Sequence, residues 1–145
     1  MDFETSMKIS ASGLQAHRAW INVLSANLAN IHTTRTAEGT PYRRRTLIYE
    51  SVPHEENFDT LLREAAEGEL ERVEVAAVVP DSRDFKTVYD PNHPDADADG
   101  MVRLPNINPV EEMANMLTAA RSYEANLAAL NTAKTLALKA LELGR

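Results

Sequence analysis

The sequence predicts a mainly α fold with a small β middle region, in which long N- and C-terminal helices pair as a coiled coil and short strands and turns lie between. Three observations carry this expectation. Ala and Leu supply much of the apolar content, which favours helix. Apolar residues recur at spacings of three, four and seven near both termini. The residues between alternate in polarity or cluster as turn formers. Hydrophobic residues make up 43% of the 145 and aromatics only 6%, so a large compact core is not signalled.

The first helix follows from Met7, Leu14, Ile21, Leu24, Leu28 and Ile31, a stripe close to the 3.5-residue period of helices that wind around each other. Ser10 and His17 interrupt it. Gly13 costs about 1 kcal/mol of helix propensity but admits a close neighbour. Ending near Asn30, such a helix is about 40 Å long.

The C-terminal helix has stronger signals. Asn108 is a good N-cap, Pro109 suits the first helical position, and Glu111 and Glu112 favour the positive end of the helix dipole. Gly144 can end the helix after roughly 50 Å. A heptad stripe of Met113, Met116, Ala120, Tyr123, Leu127 and Leu130 fades at Lys134 and resumes at Ala137 and Leu141. Val110, Leu117, Leu136 and Leu138 fall beside it, giving an apolar surface wider than one partner helix needs. An intramolecular hairpin with an ordinary core fits the same periodicity. The length of both helices and their place at opposite ends of the chain speak against it.

The middle holds four strand candidates: the stretch from Arg45 in "YRRRTLIYESV", then "RVEVAAVV", "FKTVYD" and "GMVRL". Residues 55–70 are acidic with helical composition and read as a solvated helix or a loop. The organisation expected is therefore 1–32 and 109–145 as the two helical parts of one inner domain, with 33–108 as an acidic middle.

Charge follows the same division. Residues 1–32 and 109–145 are each neutral, so residues 33–108 hold the whole net charge of −7. Neutral ends suit packing against like or related chains, because no net repulsion builds up. There is no cysteine, which excludes disulfides and thiolate metal sites. No stretch is apolar enough to span a bilayer, so no membrane insertion is expected. "MDFETSMKIS" lacks the basic and apolar regions of a secretory signal.

Chemical motifs are weak. Asp95, Asp97, Asp99 and Gly100 match the start of a calcium loop, which makes a calcium-regulated helical binding module the alternative function. Yet Asn106 stands where a bidentate Glu is needed, and Pro91, Pro94, Pro105 and Pro109 disrupt the flanking helices. His17, His32, His54 and His93 have no metal-ligand spacing, and no nucleophile elbow or phosphate loop occurs. No catalytic residue, cofactor or metal is expected. Arg43, Arg44 and Arg45 between Tyr42 and Tyr49 suggest phosphate and base contacts, but the acidic chain lacks a second basic cluster. A charged strand face meeting an acidic neighbouring subunit is the expectation there, with no nucleic acid.

More specific is a resemblance. "SGLQAHRAWINVLSANLANIHTT" is similar to the signature of flagellar axial proteins, in which a small-residue and Leu start leads to NxANxxT, a core that here runs from Ser25 to Thr33. "GTPYRRR" matches the Gly-x-Pro-Tyr-Arg element of the proximal rod branch. From "YDPNHPDADADG" through "VRLPNIN", "VEEM" and "AARSYEANLAALNTAK" the chain resembles FlgC-type rod proteins. The likeness covers most of 5–50 and nearly all of 73–144. It dissolves at residues 55–70, and the Gln-rich start of relatives is reduced to Gln15.

The resemblance implies a structural subunit of the bacterial flagellar basal-body proximal rod, a component of a torque-transmitting drive shaft. Its terminal helices would form the inner coiled coil and its middle the outer surface. The implied partners are other rod proteins, neighbouring copies of the chain, rod-base and ring components, and the flagellar type III export apparatus. That apparatus needs no cleaved signal peptide. Phe3 and Met7 resemble the family's export element. The expected assembly interface is Leu14, Ile21, Leu24, Asn27, Leu28, Asn30 and Ile31 with Met113, Met116, Leu117, Ala120, Tyr123, Asn126, Leu127, Leu130 and Asn131. Within it, Asn27, Asn30, Asn126 and Asn131 are expected to pair across helices and set register, so replacing Asn27 or Asn126 should impair assembly more than folding.

Overall fold

The computed structural model describes residues 3–53 and 71–143. The expectations for residues 55–70 and for Gly144 lie outside them. In chain order the elements are α1 (Phe3–Ala29), β1 (Arg45–Pro53), β2 (Glu71–Pro80), β3 (Lys86–Tyr89), β4 (Met101–Leu104) and α2 (Pro109–Leu143). Two long helices thus flank a small strand region, and all four strand candidates appear. β1 pairs with β2 in one two-stranded sheet and β3 with β4 in another.

The α2 N-terminus forms as its cap predicts. The Val110 amide donates to Asn108 Oδ1 at 3.1 Å, and the Glu112 amide donates to the Asn108 carbonyl at 3.0 Å. None of the helices in the described residues is long and apolar enough to cross a membrane.

The chain divides into two compact units. The first comprises Met1–Ala19, Ile48–Ala77 and Ala119–Arg145. Its buried apolar positions are small, Ala16 and Ala119. Gly13 faces Asn126 there so closely that a Cβ on residue 13 would lie 2.8 Å from Asn126 Nδ2. The Val73 amide donates to Ser12 Oγ at 3.3 Å, tying β2 to α1 within the unit.

The second unit comprises Trp20–Leu47 and Val78–Thr118. Leu24, Val102 and Ile107 are its buried apolar side chains. β3 and β4 are antiparallel, with Lys86 opposite Leu104 and Tyr89 opposite Met101. The acidic stretch that suggested a calcium loop is the connection of this hairpin. Asp97 Oδ1 accepts the amides of Asp99 at 3.0 Å and Met101 at 2.8 Å, a local carboxylate turn. Gly100 has φ +75°, and a Cβ there would come within 2.9 Å of Tyr89 Cε2. The return to β4 therefore requires glycine.

One line of buried and half-buried side chains along α2 is Glu112, Met116, Ala119, Tyr123, Asn126, Leu130, Ala133 and Ala137, with Pro109, Glu111, Asn115, Ala120 and Ser122 half-buried beside it. This is an alternation of four and three, but half of its positions are shifted by a single residue from the apolar stripe. Met116, Tyr123, Leu130 and Ala137 belong to both. Small or polar residues (Glu112, Ala119, Asn126, Ala133) sit inward where Met113, Ala120, Leu127 and Lys134 are the stripe's positions. At Asn126 the helices approach so closely that residue 13 has no room for a Cβ.

A buried ion pair and an exposed helix face

Asn27 is wholly buried on α1, and its amide uses its full hydrogen-bonding capacity. Nδ2 donates to the Arg45 carbonyl and to Glu112 Oε2, each at 2.9 Å. Oδ1 accepts the Arg45 amide at 2.9 Å and the Tyr42 hydroxyl at 3.2 Å. The side chain thus pairs with the first residue of β1 as a neighbouring strand would, while also holding the first turns of α2.

Glu112 is equally buried. Its other oxygen receives Arg44 Nε at 2.5 Å. Arg44 in turn donates from Nη1 to Asp81 Oδ2 at 3.1 Å, and its amide donates to Asn106 Oδ1 at 2.8 Å. Asn106 Nδ2 reaches the Arg83 carbonyl at 2.9 Å. A carboxylate without solvent needs both charge compensation and hydrogen bonds, and Glu112 has both. Its expected role in the helix dipole is therefore the lesser one. Burial pushes the Tyr42 phenol above its ordinary value; Arg45 opposes that shift and Glu112 adds to it.

Asp81 sits at the rim of this network. Hydrogen bonds from Arg83 lead in holding its carboxyl down to about 2, and Arg44 contributes, while burial works the other way. A depressed native value means stability that is complete above the unfolded value near 3.8 and is lost as pH falls towards 2. Asp81→Asn should therefore remove roughly 1–2 kcal/mol at neutral pH and flatten the acid limb between about pH 4 and 2. Denaturant titrations across that range measure it.

The remaining interface residues divide by exposure. Leu24 is buried with Asn27. Leu14, Ile21, Leu28, Asn30, Ile31, Met116, Ala120, Tyr123, Asn126 and Leu130 are half-buried. Met113, Leu117, Leu127 and Asn131 are exposed. With Val110, which is 73% exposed, Met113 and Leu117 make one apolar line over the first two turns of α2. Leu136, Leu138, Leu141 and Leu143 continue apolar exposure near its end. Of the four asparagines expected to pair across helices, Asn27 does so within the chain. Asn30 bonds instead to the Ala26 carbonyl of its own helix at 2.9 Å. Asn27 thus holds α1, β1 and α2 together within one chain, so its loss is expected to affect folding as well as assembly.

Two aspartates of the hairpin connection, Asp95 and Asp97, accept protein donors. Asp95 Oδ2 accepts the Thr34 hydroxyl at 2.7 Å, and Arg35 lies 3.7 Å from Oδ1. Asp97 serves its own turn. Among the described residues no group of three His, Cys, Asp or Glu side chains is placed to hold a metal ion.

Comparison with known proteins decides the family. Residues 7–35 match the family model "Flagella basal body rod protein", which takes in most of α1 and the turn after it. Residues 98–143 match "Flagellar basal body rod FlgEFG protein C-terminal", which takes in β4 and α2. The chain is 41% identical to flagellar basal-body rod protein FlgC of Bacillus subtilis, covering 97% of each chain. Identity to FlgC of Borreliella burgdorferi is 38%, over 99% of this chain and 98% of the relative. For FlgC of Salmonella typhimurium it is 38% over 94% of each.

The chain belongs to the FlgC family of flagellar basal-body rod proteins.

The two segments matched by the rod-family models include both halves of the buried contact, Asn27 and Glu112. Arg44, which completes it, lies outside both segments. The sequence pattern puts Arg44 on a charged strand face. β1 instead begins one residue later, and Arg44 turns inward. The signal that could have found it is phase: Glu112 lies seven residues before Ala119 and fourteen before Asn126, on the inner side of a heptad.

Proposed function

We propose that this FlgC-family chain is a structural subunit of the proximal rod of the flagellar basal body, assembling through its terminal helices into the torque-transmitting shaft. The observation that carries this reading is the α2 surface. One side of the helix is used within the chain, and Val110, Met113, Leu117 and the terminal leucines leave a second side exposed. Side chains of this size are worth about 1.5–3 kcal/mol each when buried, so assembly has a large driving force available.

In this reading α1 and α2 pair as a coiled coil, each unit contributing one contact: Gly13 with Asn126, and Asn27 with Glu112. Residues 1–32 and 109–145 form the inner domain, and the acidic 33–108 region faces outward. Neighbouring copies, other rod proteins, and rod-base and ring components cover the exposed helix faces. Export proceeds through the flagellar type III apparatus without a cleaved signal peptide, with Phe3 and Met7 as its recognition element; Phe3 is 40% exposed. The role is architectural and involves no catalytic step.

The test is a deletion strain complemented with a tagged chain. Purified basal bodies are expected to contain the tagged chain, and the deletion strain is expected to lack motility. A motile deletion strain with intact rods would refute the assignment.

A further inference from the structure

The second unit carries a cationic and aromatic surface that the buried network does not use. Phe85 is stacked by two guanidinium groups, Arg43 at 4.3 Å and Arg103 at 4.9 Å from the ring centre. Arg45 lies over the Tyr42 ring at 5.8 Å. Two shallow clefts adjoin here, sharing Thr40 and Pro41: Arg43, Arg45 and Phe85 line one, and Arg35 and Arg103 the other. Glu38 lies on the first cleft, and Asp95 beside Arg35 on the second. Arg45 and Arg103 are exposed and, among the described residues, make no ion pair. Stacking holds such groups in place, so a bound carboxylate need not order them.

The complementary charge lies in the same sequence. Residues 55–70 contain Glu55, Glu56, Asp59, Glu64, Glu67 and Glu69 against the lone base Arg63, and so hold most of the net charge of −7. Arg45 and Pro53 are opposite ends of β1, about 27 Å apart at the rise of an extended strand. The chain joining Pro53 to Glu71 is anchored at both ends, so it reaches about 30 Å only when drawn taut. Ordering it in that state is costly. A second copy has no such tether.

We propose that the arginine–aromatic surface of Arg35, Arg43, Arg45 and Arg103 around Phe85 docks the acidic segment 55–70 of a second copy of this chain. The inference rests on the reading that copies of the chain are neighbours. It adds a lateral contact between middle regions, outside the terminal helices. Arginine forks paired to carboxylates give such a contact orientation, and its strength falls with salt.

A labelled peptide of residues 54–70 titrated with the purified full chain tests it. Binding is expected, weakening about tenfold for Arg45→Glu and again for Arg103→Glu, with smaller losses for the Gln variants, whose folding is checked by circular dichroism. A peptide with its six acids changed to Gln is expected not to bind. Equal binding of that neutral peptide, or undiminished binding by the double Glu variant, overturns the proposal. So does equal binding of polyglutamate, which marks a general anion surface. Tenfold stronger binding by a chain whose own six acids are neutralised also overturns it, because the segment then docks in its own chain. A chain that assembles into basal bodies yet ignores the peptide defeats this contact and leaves the rod assignment standing.

Discussion

Glu112→Ala is expected to lower the unfolding free energy by about 3–5 kcal/mol, the range for breaking a buried ion pair from one side. The substitution leaves Arg44 next to a void, with Asp81 as its one remaining ion-pair partner among the described residues. It also strips Asn27 of one of its four hydrogen bonds. Urea denaturation followed by circular dichroism measures the loss. Glu112→Gln keeps an acceptor and the volume, so its cost should be smaller though still substantial. Replacing the pair together, Arg44→Met with Glu112→Met, should recover part of the loss, because apolar groups of similar size remove the unpaired buried charge but leave one Asn27 N–H without its acceptor. A single Glu112→Ala variant as stable as the parent would mean that the buried network is not what joins α1, β1 and α2.

The second large effect concerns assembly rather than folding. Changing Val110, Met113 and Leu117 together to Ser should alter the chain's own stability little, within about 0.5 kcal/mol for each exposed position. All three are more than half exposed. The same variant is expected to abolish motility and to be missing from purified basal bodies, since roughly 5 kcal/mol or more of apolar burial per copy is then withheld from the assembled state. Normal swimming would show that this face of α2 has no covering neighbour. The two variants separate the halves of the helix: Glu112→Ala removes an inward contact and Val110/Met113/Leu117→Ser removes an outward one, although Glu112 and Met113 are adjacent residues.

That adjacency explains what is legible in the sequence and what is not. Local signals suffice for elements. Asn108-Pro109 starts α2 because an N-cap side chain and a preset φ act within one turn. Alternation identifies strands because a pleated strand presents every second residue to one side. The hairpin connection is harder, since aspartates that cap a turn and aspartates that bind calcium share a spacing. Only the partners tell them apart, Thr34 for Asp95 and the Met101 amide for Asp97.

By itself the sequence determined the two long helices, the four strands between them and the membership in a rod family, because propensity, periodicity and motif are properties of neighbouring residues. Tertiary structure alone decided which side of α2 faces inward. Leu and Met offered the larger hydrophobic gain at positions 113, 117 and 127. The inner line nevertheless takes Glu112, Ala119 and Asn126, because α1 approaches closely at Gly13 and Asn27 presents an amide that only a polar partner satisfies. Close packing and the cost of an unpaired buried polar group outweighed side-chain hydrophobicity there, and both depend on which residues distant in the chain meet.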